Sequence, residues 1–180
     1  MAYTAPITFV NGVPLTAAQL NAMQDNIRET AVAKATTAGR YFAVAGPNQL
    51  VERAVTRDTV DVIADTSSTS YTATLSGPSS GPVINSTCGE RMIVGIHSYC
   101  RNLSGTGSAH ASYAISGATT VAASDRVAVA VAGSADNSIY ASAVMPVYFL
   151  TPGVHTLTAQ YRVSAGSGRF DARRLWAMPL

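Results

Sequence analysis

Three histidines, ten carboxylates and two cysteines hold most of the chemical capacity of this 180-residue chain. His97, His110 and His155 fall on three separate predicted strands, so none pairs with another at metal-ligand spacing. They read as surface or hydrogen-bonded histidines. Repeated about a subunit axis, His97 or His155 would offer an axial metal or anion site. Asp61 and Asp65 share one face of a predicted strand, a placement open to acid–base work or to a solvated strand edge. Asp171, Arg173 and Arg174 suit an ion-pair cluster in the last strand. Cys88 and Cys100 form no CxxC pair, and nothing near them completes a zinc set. They read as buried reduced thiols, or as a late disulfide if the protein ends up outside a cell. The chain has no GxSxG, Walker loop, GxGxxG, HExxH or EF-hand loop. A non-enzymatic protein is expected, with no catalytic residue, cofactor or metal.

The aromatics are the remaining candidates. Tyr71, Tyr99, Tyr113, Tyr140, Tyr148, Tyr161, Phe149 and Trp176 could line a sugar-binding face, although a β domain of this size uses most of its aromatics in its core and subunit contacts. Tyr140 and Trp176 stand as candidate surface-binding residues.

The elements that must position these side chains are mostly strands. From Thr59 the pattern is strand, turn, strand. Strands are predicted at Thr59–Asp65, Ser70–Leu75, Val83–Thr87, Arg91–Tyr99, Ala109–Ser116, Arg126–Val131, Ser138–Leu150, Val154–Val163 and Phe170–Met178. Glycine-rich turns separate them at roughly 8–12 residues, the spacing of a β-sandwich or jelly roll. Leu157, Ala159, Tyr161 and Val163 share one face of their strand, with Thr156, Thr158, Gln160 and Arg162 on the other. Met92–Ile96 is apolar on both faces and predicts a central strand covered on both sides.

Ahead of these strands lies a different pattern. An extended arm, with Pro6, Gly12 and Pro14, leads to a helix start. Thr16 is the N-cap, Gln19 completes a capping box, and Leu15 and Leu20 form a hydrophobic staple. The helix is expected to run to Ala38, with Gly39 as its stop. Leu20, Met23, Ile27 and Thr30 or Ala31 form a narrow apolar stripe, too short for an isolated coiled coil. It would lie on the sheet of its own domain or meet its copies between subunits. Arg40–Ala45 and Gln49–Val55 predict a β-hairpin, and Thr56–Asp58 a linker. The expected fold class is thus mainly β: an arm, one α-helix and a hairpin (1–58), then a β-sandwich or jelly-roll domain (59–180).

Hydrophobic residues make up 47% of the chain and charged residues 12%, against roughly 25% charged in an average protein. The net charge is +2 and Lys34 is the one lysine, so no nucleic-acid footprint is expected. No stretch reaches membrane-span length. Met1–Pro14 lacks the regions of a signal peptide, so a cytoplasmic origin is expected.

Thr8–Val55 carries the most specific motifs: Asn11-Gly12 in the arm, Leu15–Asn21 at the helix start, Asp25-Asn26-Ile27, Ala33–Gly39, and Glu52-Arg53 closing the hairpin. This block resembles a module recurring in virion proteins of phages infecting actinobacteria. Ala114–Asp125, Leu150–Phe170 and the ending Arg-Arg-Leu-Trp-Ala-Met-Pro-Leu are similar to the companions of that module. The resemblance implies a virion structural protein assembled in the host cytoplasm, with an attachment arm and helix and an outward-facing β domain. Depletion of charge suits large subunit contacts. A trimer with Leu15, Leu20, Met23 and Ile27 at its axis or attachment surface is expected. Minor tail duty, with contact to other virion proteins or to a host surface glycan, leads. A head decoration protein that clamps capsomers is the alternative, and a carbohydrate-binding module the second.

Overall fold

The computed structural model describes residues 14–28, 34–47, 49–76 and 80–180. Residues 1–13 of the expected arm, and Thr30 and Ala31 of the stripe, lie outside them. The chain is mainly β, 54% strand and 10% helical. It divides into two compact units, Met1–Ala54 and Val55–Leu180.

In the first unit, α1 (Ala17–Arg28) begins where its cap chemistry places it. The Thr16 N–H donates to Gln19 Oε1 at 2.9 Å, and the Gln19 N–H donates to Thr16 Oγ1 at 3.2 Å. The two residues thereby satisfy each other's free amide at the helix start. Lys34 is helical, but the expected end at Ala38 is not reached. The N–H groups of Thr36 and Thr37 donate instead to Glu52 Oε1, at 2.5 and 3.2 Å. Gly39 then turns the chain at φ +76°, a conformation that favours glycine. The hairpin follows as β1 (Tyr41–Gly46) and β2 (Gln49–Arg53).

The second unit contains β3 (Thr56–Val60), β4 (Ala64–Thr66), β5 (Val83–Cys88), β6 (Met92–Asn102), β7 (Ser108–Gly117), β8 (Val129–Ala132), β9 (Ser138–Val147), β10 (Gly153–Val163) and β11 (Gly168–Pro179). Thr56–Asp58 is therefore not a linker but the start of a strand paired with β11. The single strand expected over Thr59–Asp65 is two, with Asp61 in the break. Ser70–Leu75 pairs only through an isolated bridge at Thr72. The segment expected as a strand from Arg126 opens in a 3-10 turn, Asp125–Val127, held by the Ser124 cap.

All ladders in the second unit are antiparallel. One sheet runs β5-β10-β7-β8. The other runs β3-β11-β6-β9, with β4 also paired to β11. The buried faces of both sheets enter one core, which includes Met92, Val94, Ile96, Tyr113, Ile115, Leu157, Tyr161, Phe170 and Leu175. Each large apolar side chain so buried contributes roughly 1.5–3 kcal/mol before entropy is counted. Leu157, Ala159, Tyr161 and Val163 all face this core, following the alternation of β10. β6 is central, as its apolar run requires. Its outer face is covered over Gly95 by Trp176 but is otherwise half-buried.

Candidate functional site

The outer face of the β3-β11-β6-β9 sheet gathers the side chains best placed to meet another molecule. Strand register sets its rows. Arg169 stands opposite Arg101, Asp171 opposite Tyr99, Arg174 opposite His97, and Trp176 opposite Gly95. On the far side of β6, Tyr140 stands opposite Tyr99 and Ser142 opposite His97. Across β11, Thr59 faces Arg174 and Arg57 faces Trp176. Tyr140 and Trp176 therefore share one face of one sheet, two strands apart.

A bulge in β11 creates this arrangement. Three steps along β11, from Asp171 to Arg174, match two along β6, from Tyr99 to His97. The extra residue is Ala172, at φ +45°. A bulge of this kind re-aims the side chains that follow it. Phe170 and Arg173 are fully buried, whereas Arg174 is exposed and Trp176 half-buried. The expected cluster of Asp171, Arg173 and Arg174 is thus dispersed. Asp171 accepts the Ala172 N–H at 2.7 Å. Arg173 points inward, donates to the Val62 carbonyl at 2.7 Å and lies 5.7 Å from the Tyr161 ring centroid.

Trp176 borders an open groove of about 610 Å3 whose other walls are Val55, Arg57, Asp58, Thr59, Arg174 and Leu175. The indole packs against Gly95, where a Cβ would overlap it. Asp58 spends its carboxylate on two backbone N–H groups, those of Thr59 at 2.8 Å and Val83 at 2.9 Å. Further along the face, the Tyr140 ring lies 4.6 Å from that of Tyr99 and 6.4 Å from that of His97, centroid to centroid. Tyr140 remains 65% exposed.

Two arginines on this face are neutralised. Arg101 binds Asp136 at 2.7 Å, and Arg169 grips Asp65 through Nε and Nη2 at 2.9 and 3.0 Å. That pairing removes Asp65 from the acid–base role weighed for it with Asp61. Arg57 and Arg174 have no ion-pair or side-chain hydrogen-bond partner among the described residues.

The opposite sheet carries a polar network invisible to local sequence patterns. Asp125 is gripped by Arg162 and accepts the Tyr71 hydroxyl at 2.6 Å. These bonds hold its carboxyl down at about 2. His110 Nδ1 lies 3.5 Å from Asp125, and its Nε2 lies 2.6 Å from Ser108 Oγ. Serine, histidine and carboxylate thus stand in the order of a hydrolytic triad. The geometry does not complete one: among the described residues His110 Nδ1 has no hydrogen-bond partner, so the histidine–carboxylate bond that orients a triad base is not made. Burial, and then the Arg162 charge, push His110 below the usual imidazole range. The arrangement ties the segments of Tyr71 and Asp125 to β7 and β10.

His155 is not a surface ligand: it is fully buried, with Nδ1 3.5 Å from Cys88 Sγ and 3.2 Å from the Gly153 carbonyl. Cys88 and Cys100 are both buried, and no disulfide joins them. Burial raises the Cys100 thiol to about 12. Among the described residues no group of three or more His, Cys, Asp or Glu could hold a metal. Phe149 projects from the turn after β9, 95% exposed, at φ +61°.

The four apolar residues assigned to attachment, Leu15, Leu20, Met23 and Ile27, are 38–65% exposed, and α1 has no buried residue. Compared with known protein families and with curated proteins, the chain matches none.

Proposed function

We propose that this protein is a non-enzymatic structural component of a phage virion. It would assemble as a trimer through its N-terminal region and present its β domain outward, as a minor tail protein. The virion assignment rests on the motif resemblance over Thr8–Val55. Its structural role is carried by one observation: Leu20, Met23 and Ile27 on α1, and Leu15 just ahead of it, stay exposed in the single chain. A capped helix with an uncovered apolar stripe is short of a partner. The strand orders β3-β11-β6-β9 and β5-β10-β7-β8 support the jelly-roll reading, an architecture used by viral capsid and lectin domains. The edge strand β9 adds exposed Ile139, Val144 and Met145, apolar surface suited to subunit contact.

Light scattering and sedimentation of the full chain test the assembly. A trimer is expected, and Leu20→Ser/Met23→Ser/Ile27→Ser should weaken it. A monomer at micromolar concentration overturns the role of the stripe. Particle reconstruction with copy counting separates a tail position from the alternative, head decoration, in which copy number approaches that of the capsid three-fold sites. The carbohydrate-binding reading is favoured by one feature, the exposed Tyr140 ring, tilted against Tyr99, on the same sheet face as the groove at Trp176.

A further inference from the structure

We propose that the groove at Trp176 binds an acidic saccharide, a pyranose bearing a carboxylate, with the sugar stacked on the indole and its carboxylate held by Arg57 and Arg174. The inference rests on the surface-binding part of the reading above and is independent of particle and oligomer. Charge carries it. Arg101 and Arg169 on this sheet face each have a carboxylate partner, Asp136 and Asp65. Arg57 and Arg174, which line the groove, have none among the described residues. Asp58 is the one acid in the lining, and two backbone N–H groups occupy its carboxylate. The lining therefore keeps a net charge of +1 (two arginines, one aspartate), with two guanidinium forks free to grip an anion. Such forks match carboxylate geometry and bind it bidentately.

Register supplies the shape. Arg57 stands directly across from Trp176, and Arg174 lies two residues before it on the same face, opposite Thr59. Gly95 lets the indole settle against β6, and the ring stays part-exposed where it borders the groove. A pyranose stacked there places its apolar C–H groups on the ring, its carboxylate at the ring edge toward the arginines, and a hydroxyl within reach of Thr59. An enclosed apolar pocket for a peptide side chain is missing from this open groove. A chain charge of +2 does not supply the basic footprint that a nucleic acid requires.

The test is calorimetric titration of the full chain with a galacturonic acid tetrasaccharide and with its neutral galactose counterpart. Trp176 is the sole tryptophan, so its fluorescence reports occupancy directly. Binding of the acidic sugar with a change in that emission is expected, weakening as salt is raised. The neutral sugar should bind at least about tenfold more weakly, and Arg57→Gln/Arg174→Gln should lose about the same factor for the acidic one. Both arginines are exposed, so this variant retains the fold, checked by circular dichroism. Equal affinity for both sugars, unchanged affinity in the double variant, or no binding at millimolar sugar overturns the proposal. A monomer by light scattering would overturn the trimer and leave this site standing; failed binding would do the reverse.

Discussion

At position 95 a hydrogen in place of a side chain lets the Trp176 indole lie against the backbone of β6. Gly95→Ala forces the ring away, since its new Cβ would overlap the indole. Overpacking of this kind costs about 1–3 kcal/mol. A lower Tm and a red-shifted emission from the only tryptophan are the expected readouts. Asp125 makes a second residue-scale prediction. Its carboxyl, held at about 2 by Arg162 and Tyr71, lies below the value near 3.9 of a free aspartate. Because the folded pKa is depressed, its stabilisation is complete above pH 4 and is lost as pH falls from about 4 to about 2. Asp125 is half exposed, so solvent screening makes the contribution modest. Asp125→Asn should lower Tm at neutral pH and flatten its decline between pH 4 and pH 2. A decline as steep as that of the unaltered protein would contradict this.

At the scale of elements, the bulge in β11 does most to define the outer face. Strict alternation from Phe170 would place Ala172, Arg174 and Trp176 on the same side as Phe170, in the core. The extra residue at Ala172 sends Phe170 inward and Trp176 outward. Its φ of +45° is strained for alanine and permitted for glycine. Ala172→Gly should therefore leave the fold intact and raise stability by up to about 1 kcal/mol, measured by urea unfolding. Marked destabilisation would mean that the Ala172 methyl is needed. The helix shows the opposite case, a feature written locally. The Thr16–Gln19 box needs only neighbours three residues apart and forms as its sequence indicates. The far end departs from expectation because Glu52, in β2, captures the amides of Thr36 and Thr37.

At the scale of the whole molecule, the principal core belongs to one unit. Every residue of the main hydrophobic cluster lies between Ala64 and Ala177. Residues 55–180 alone should therefore fold cooperatively, with the same urea midpoint as the β domain in the full chain and as a monomer if α1 drives assembly. An unfolded fragment would show that the N-terminal unit is needed for folding. Low charge takes its place at this scale too: the small and β-branched residues that displace charge build two antiparallel sheets around a shared core.

The mainly β class, the capped helix start, the hairpin, the inward face of β10 and the central position of β6 were legible in the amino-acid order. Each depends on periodicity or on contacts a few residues apart, and such signals survive without knowledge of the fold. Tyr140 and Trp176 were legible only as aromatics. Folding brings them onto one face, sets Arg57 and Arg174 beside Trp176, pairs Asp65 with Arg169 and buries His155. Those outcomes hang on strand register and on one bulge. Pairing between distant strands is chosen by the packing of the whole core, and one extra residue reverses which side every later side chain faces.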